Sequence, residues 1–445
     1  MTREALHVAF LSSGEVVVAE CAGRGRKRVG FFVGSPFYHT MLDPIYELLK
    51  NELPCLMTGD PRAMVAYSPH ILVHAGEEGT RLRSELREAI FVWTRHGFST
   101  KKNAARISIT GCDFACVSSE WMREEFDRRG WRPRLGYWMT GFVPMDEMLA
   151  AETTSGTALL PDDFSNGEET LLYAPTWNCL LSSAEVLGRQ WIDHIREVAP
   201  GVNVIIKPHP VIPEVHPEWM DMWRSATRRN ERTLLIENAD SSVFPYFSVS
   251  SILMTDASSV MFYFLAMNRP IVLVSNPRRF RDRVSFDPSD LEWQWRDMGI
   301  EISGERDLPN AILRCLQHPE EKAAQRTSYR KQVFDGLLDG QAAERVANRI
   351  RALVQPKPED REWVQRAWSS IATSEEPGRH RGRVIGVQVQ RTLWQFLRRH
   401  PRLRSAWRKA AERFPAFHYA IARLRGRLLL VQRTRLPAEC SNAED

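Results

Sequence analysis

Residues 203–212 read "NVIIKPHPVI". Asn203-Val204-Ile205-Ile206 has the β-branched character of a strand covered on both faces, as in parallel sheets. Lys207-Pro208-His209-Pro210 ends it. Neither proline can donate to a ladder, and each drives the residue before it toward extended backbone. A core strand that stops in a stiff turn bearing a lysine and a histidine predicts an α/β sheet with chemistry at its carboxyl edge.

The pattern recurs on both sides. "RVGFFVGS" (28–35) leads into "YHTMLDPIYELLKNEL" (38–53), "HILVHAG" (70–76) into "EEGTRLRSELREAIF" (77–91), and "FACVSSE" (114–120) into "WMREEFDRRG" (121–130). Strands alternating with helical segments predict parallel sheets with crossover helices. The alternation breaks over residues 150–169, which are rich in turn formers. It restarts with "TLLYAPTW" (170–177), "NVIIKPHP" (203–210), "TLLIEN" (233–238), "SILMTDASS" (251–259) and "PIVLVSNP" (270–277). The expected organisation is a first Rossmann-like domain over 1–150, a linker over 151–170 and a second Rossmann-like domain over 171–352. A connecting helix over 353–376 and a basic tail over 377–445 follow. A chain of 445 residues exceeds one ordinary core. Gly23 and Gly25 precede a strand rather than follow one, so they are not a dinucleotide fingerprint.

Composition narrows the class. Hydrophobic residues at 43% and charged residues at 26% fit a globular protein. The seven cysteines form no disulfide framework, which points to a reducing, cytoplasmic setting. Cys112 and Cys116 have no second Cys/His pair nearby, so a zinc site is not expected. No Asp-x-Asp pair occurs, and neither a metal nor a cofactor is expected. No signal peptide and no run of ~20 apolar residues is legible. Charge is unevenly placed. From Pro377 to Arg435, sixteen arginines and lysines face one acid, Glu412, a balance of +15. The net charge of +5 then leaves the rest of the chain near −10.

Three stretches can carry chemistry. "KPHP" presents Lys207 and His209 at a strand end, where a histidine can donate to phosphate oxygens. "ILMTDASSV" ends a strand in Thr255-Asp256 and follows with Ser258 and Ser259 before an apolar helix. Those residue types either cap a helix or build a phosphate site. "VWTRHGFSTKKN" (92–103) places His96 beside Gly97, which leaves backbone space for a substrate, with Lys101 and Lys102 following. Facing the second domain, His96 can be a general base.

Together these stretches resemble the CDP-glycerol glycerophosphotransferase family of teichoic-acid and capsule-type polymerases and primases. "LLYAPTW" (171–177), "IIKPHP" (205–210), "MTDASSVMFYFLAMNRPIVLV" (254–274) and "DGQAAERV" (339–346) are similar to its second-domain motifs. "RHGFSTKK", "CDFACVSSEWMREEF" and "GFVPMDEML" are similar to those of its first domain. The chain departs from the pattern at Arg95 (usually tryptophan), at Asn178-Cys179 (usually arginine-aspartate) and at Tyr263 (usually acidic). "GFVPMD" also lacks an arginine-asparagine pair. The resemblance implies a GT-B-like fold of two Rossmann-like domains around a central cleft. It implies transfer of glycerol phosphate, or a related polyol phosphate, from a CDP-activated donor to a hydroxyl, with CMP leaving. His96 would be the base or acceptor-side residue. His209, Ser258 and Ser259 would hold the pyrophosphate, with Lys207, Thr255, Asp256, Pro175 and Thr176 shaping the donor pocket; 1–150 would be the acceptor-side domain and 171–352 the nucleotide-binding one.

The tail alternates arginines with Trp394, Phe396, Trp407 and Phe414, broken by Pro401 and Pro415. Short basic amphipathic helices suit an anionic membrane surface. This predicts a protein held peripherally on the inner face of the membrane, near a lipid-linked or polymer acceptor. No RNA-binding motif accompanies the tail, and no nucleic-acid partner is expected. Two other readings fit the same residues. One is a CMP-sugar glycosyltransferase of sialic-acid or Kdo type, with Glu78 of "GEEGT" as base. The other is a non-catalytic nucleotide-binding scaffold on the membrane.

Overall fold

Two six-stranded parallel sheets carry the fold. A computed structural model describes residues 7–10, 16–19, 27–98, 104–153, 160–161, 164, 169–282 and 285–372. The basic tail, most of the expected linker, and the stretch 99–103 with Lys101 and Lys102 lie outside the described residues. An antiparallel pair, β1 (His7–Phe10) and β2 (Val16–Ala19), comes first in the chain.

The first sheet comprises β3 (Val29–Phe32), β4 (Cys55–Thr58), β5 (Ile71–His74), β6 (Ile90–Trp93), β7 (Phe114–Val117) and β8 (Gly136–Met139). Its spatial order is β4-β3-β5-β6-β7-β8, with every pairing parallel. The second comprises β9 (Thr170–Tyr173), β10 (Asn203–Ile206), β11 (Thr233–Leu235), β12 (Ile252–Thr255), β13 (Ile271–Val274) and β14 (Ile300–Ile302). Its order is β11-β10-β9-β12-β13-β14. The side on which successive strands are added therefore switches between β9 and β12, and in the first sheet between β3 and β5, while all strands stay parallel. Such switch points open a crevice beyond the carboxyl ends of the strands.

Register then sets the level of the turns. Tyr173 of β9 stands beside Ile206 of β10 and Met254 of β12. The turns that begin at Ala174, Lys207 and Asp256 therefore leave the sheet within one residue of the same level. The central strands are buried along their whole length, as "FFV", "ILVH", "LLY" and "NVII" require. Besides the β1–β2 pair, three strands of the parallel sheets escape the sequence reading: β4, β8 and β14. These three are edge strands with partly exposed residues, so their apolar signal is diluted. "EEGTRLRSELREAIF" also departs from expectation. It forms only a short helix, Glu77–Thr80, and a 3₁₀ turn before β6 begins at Ile90.

The core runs without a break from the first sheet onto one face of the second. Phe98, Phe142, Tyr263 and Phe244 form the bridge, with ring centroids 4.7–5.2 Å apart for Phe98–Phe142, Phe142–Tyr263 and Phe244–Tyr263. The helix Ala342–Val354, counted by sequence with the second domain, packs instead on the helix His39–Leu49 beside the first sheet. Arg351 pairs with Glu52 and donates to the Leu48 carbonyl at 3.1 Å. The Asp146 carboxylate of "GFVPMD" accepts from the backbone N–H groups of Ala342 and Ala343 at 3.1 and 2.8 Å. The apolar stripe Val346, Ala347, Ile350 and Leu353 specifies that this helix must be covered, but not by what. Among the described residues, no helix is long and apolar enough to cross a membrane.

Candidate active site

The carboxyl ends of both sheets face one cleft of about 420 Å³. The second-sheet wall is built from a buried scaffold outward. Ala174 donates to Met254 O at 3.0 Å, and Thr255 Oγ1 donates to Ala174 O at 2.6 Å. The Asp256 carboxylate accepts from the N–H of Thr176 at 3.0 Å, and from the N–H and hydroxyl of Ser183, each at 2.7 Å. Arg296 donates to the Asp256 carbonyl at 3.1 Å. These bonds fix the turn Pro175-Thr176-Trp177, which lines the cleft and leaves the Trp177 indole 42% exposed.

Lys207 and His209 line the same wall. Lys207 is 4% exposed, and its ammonium donates to the carbonyls of Ala239 at 2.7 Å and Pro208 at 3.2 Å. It thereby ties the proline turn to the loop after β11. Desolvation brings its pKa down to about 8, opposed by Asp240. The Val211 N–H donates to His209 Nδ1 at 3.2 Å. In the neutral ring the proton therefore sits on Nε2, which makes that nitrogen a donor. Ser258 and Ser259 also line the cleft, ahead of the short helix Val260–Phe264.

The first-sheet wall carries His96. Its Nδ1 donates to the Ala75 carbonyl at 2.9 Å, as does the Trp93 indole N–H at 2.9 Å. A carbonyl can only accept, so Nδ1 holds the proton and Nε2 keeps its lone pair. Tyr38 and Phe37 pack on the ring, with centroids at 5.4 and 6.1 Å. Burial lowers the His96 pKa below its ordinary value. The bond to Ala75 and the charge of Glu78 oppose that shift, and Arg95 adds to it. The wall thus holds a neutral imidazole opposite a lysine, a second histidine and two hydroxyls.

The structure brings together His96, Lys207, His209, Pro175, Thr176, Ser258 and Ser259. It corrects the assignments of four other residues. Thr255 and Asp256 are 0% exposed and lie beneath the cleft rather than in it. Their side-chain oxygens serve neighbouring backbone, because a buried strand end must satisfy its polar groups locally. Glu78 does not line the cleft; its carboxylate accepts from the Tyr38 hydroxyl at 3.2 Å. The space beside Gly97 is also not left for substrate. A Cβ there would meet the Tyr263 hydroxyl at 2.8 Å and Ser259 Oγ at 3.3 Å.

The sequence reading missed Trp93, Tyr263 and the run Asp240-Ser241-Ser242, all of which line the cleft. The last was legible in principle, since a polar run just past a parallel strand lies at the binding edge. Among the described residues, no group of three or more His, Cys, Asp or Glu is placed to hold a metal ion.

A family model for CDP-glycerol:poly(glycerophosphate) glycerophosphotransferase matches residues 92–352. That span runs from β6, which delivers His96, through the whole second sheet. No curated protein matches the sequence. Among solved structures, the wall teichoic acid polymerase TagF, soaked with CDPG, is similar at 15% identity with a TM-score of 0.57. The match covers 76% of this chain and 90% of that one. A putative UDP-N-acetylglucosamine 2-epimerase from Listeria monocytogenes gives 12% identity and a TM-score of 0.55, covering 75% and 98%. The S. aureus MnaA–UDP structure gives 12% and 0.52, covering 74% and 98%. The fold is GT-B-like, and the chain belongs to the CDP-glycerol:poly(glycerophosphate) glycerophosphotransferase family.

Proposed function

We propose that this cleft transfers glycerol phosphate, or a related polyol phosphate, from a CDP-activated donor to a hydroxyl of a lipid-linked or polymer acceptor. The acceptor oxygen forms a bond to the β-phosphorus, and the bond from that phosphorus to the bridging oxygen breaks. CMP leaves with the electron pair, and the hydroxyl proton passes to His96 Nε2. His209 Nε2–H, the Ser258 and Ser259 hydroxyls and the Lys207 charge stabilise the pyrophosphate as charge develops on the leaving phosphate. Pro175 and Thr176 form the floor against the nucleotide. One observation carries the reading. Two histidines face a single cleft in opposite tautomers, one offering a lone pair and the other a proton.

The test is a donor screen with the purified protein, scored by CMP release. CDP-glycerol and other CDP-polyols should be turned over in the presence of acceptor, and CMP-sialic acid and CMP-Kdo should not. Turnover of a CMP-sugar alone would select the glycosyltransferase reading, which the position of Glu78 off the cleft disfavours. Tight CDP binding with no transfer would select the scaffold reading.

The tail adds a location to the proposal. Its sixteen basic residues against one acid suit an anionic bilayer, where each is worth about 1 kcal/mol. That would hold the enzyme peripherally on the inner face, close to a lipid-linked acceptor. Deleting the residues after Ile371 should abolish sedimentation with phosphatidylglycerol vesicles while donor binding survives. Equal sedimentation of the truncated and full chains would remove the tail from membrane attachment.

A further inference from the structure

Arg95 is the least expected side chain near the cleft. It is 2% exposed, yet its Nε and Nη1 have no hydrogen-bond partner among the described residues. Its backbone sits at φ +68°, a strained region for a residue with a Cβ. The guanidinium lies among the rings of Trp93, Phe98 and Phe126, with centroids 5.8, 5.0 and 5.1 Å away. Cation–π attraction offsets only part of the cost of a desolvated charge. Among the described residues, its one hydrogen bond is from Nη2 to the Gly97 carbonyl at 2.9 Å. That bond closes a loop around His96.

Tyr263 meets the same turn from the opposite wall. Its hydroxyl donates to the His96 carbonyl at 3.3 Å and lies 3.1 Å from Ser259 Oγ. Its ring stacks on Phe142, with planes 17° apart, and is otherwise buried. Gly97 makes this approach possible, since a Cβ would collide with that hydroxyl.

We propose that Arg95 and Tyr263 are positioning residues that hold the His96–Gly97 turn from its two sides, so that the imidazole and Ser259 are set as one unit. The inference rests on the transferase reading for what that unit does. Arg95 fixes the turn from behind, and its unneutralised charge disfavours protonation of the imidazole. Tyr263 fixes the turn from the front and couples it to the donor-side serine. Among the described residues, the other charged or titratable groups facing His96 are Tyr38 and Glu78 on its own wall, and Lys207, His209 and Asp240 across the cleft. Glu78 pulls the imidazole toward protonation, and Arg95 opposes it.

The variants Tyr263→Phe, Arg95→Met and Arg95→Lys test this with three readouts: CMP release against pH, CDP binding, and the His96 titration by NMR of histidine-labelled protein, assigned by its loss in His96→Gln. Tyr263→Phe should lower kcat about 10-fold with CDP affinity unchanged. Arg95→Met should fold with an unchanged or higher Tm, lower kcat, and move the His96 titration and the acid limb of kcat/KM together to higher pH. Arg95→Lys should keep the titration where it is but lower kcat, because the Gly97 bond is lost. This variant decides the matter if Arg95→Met does not fold. Wild-type kcat in Tyr263→Phe with an unmoved titration in Arg95→Met would overturn the proposal, as would wild-type kcat in Arg95→Lys. If the wild-type protein releases CMP from no donor, the transferase reading fails by itself. The NMR titration still decides whether Arg95 sets the imidazole.

Discussion

His96→Gln should lower the transfer rate by about 10²–10⁴-fold, the usual contribution of a positioned general base. Glutamine keeps the size and polarity of the site but cannot take the proton. CDP affinity should hardly change, because the residues proposed to grip the donor stand on the opposite wall. The wild-type pH profile should be bell-shaped. A base acts only when neutral, and burial lowers the His96 pKa. Activity should therefore persist below the ordinary histidine range near 6.5 and fall as pH drops through the lowered value. On the alkaline side, Lys207 loses its charge as pH rises through about 8, and donor affinity should fall with it. Steady-state rates across pH, together with CDP titrations, check both limbs. A His96→Gln rate within about threefold of wild type would take His96 out of the proton transfer.

Asp256→Ala should have the second large effect, and it should be structural before it is catalytic. The buried carboxylate accepts from Thr176, from the Ser183 amide and from the Ser183 hydroxyl. Removing it leaves those donors unsatisfied, at a cost of about 3–5 kcal/mol for a buried charged acceptor of this kind. The turn Pro175–Trp177 and the segment at Ser183 should open locally. Hydrogen exchange should show lost protection at the Thr176 and Ser183 amides, and CDP binding should be lost with it. Asp256→Asn keeps one acceptor oxygen and should fall between. If Asp256→Ala kept full amide protection while losing turnover, Asp256 would be a ligand contact and not a scaffold.

These two residues show what a sequence reading can reach. His96 and Asp256 were both legible as polar groups at the ends of apolar strands. Only one of them turns into the cleft. The alternation of strand and turn locates the binding edge, but the last residue of a strand and the next can point to opposite sides of the sheet. Asp256 points under the sheet's edge, where backbone N–H groups need an acceptor. Ser258 and Ser259, two and three positions on, come out into the cleft. The edge strands β4, β8 and β14 were missed because half-exposed strands carry a weaker apolar signal. The placement of Ala342–Val354 was missed because an apolar stripe does not name its partner.

"NVIIKPHPVI" and its neighbours determined that the chain forms parallel α/β sheets, that its polar groups gather at strand ends, and which family motifs those ends resemble. Local chemistry suffices for that, since β-branched runs, prolines and capping residues act over a few positions. Which strand ends share a cleft, which tautomer each histidine holds, and what fills the space beside Gly97 were decided by tertiary structure alone. Those properties depend on groups far apart in the chain: Ala75 for His96, Tyr263 for Gly97 and Ser183 for Asp256. They meet only after the two sheets have packed.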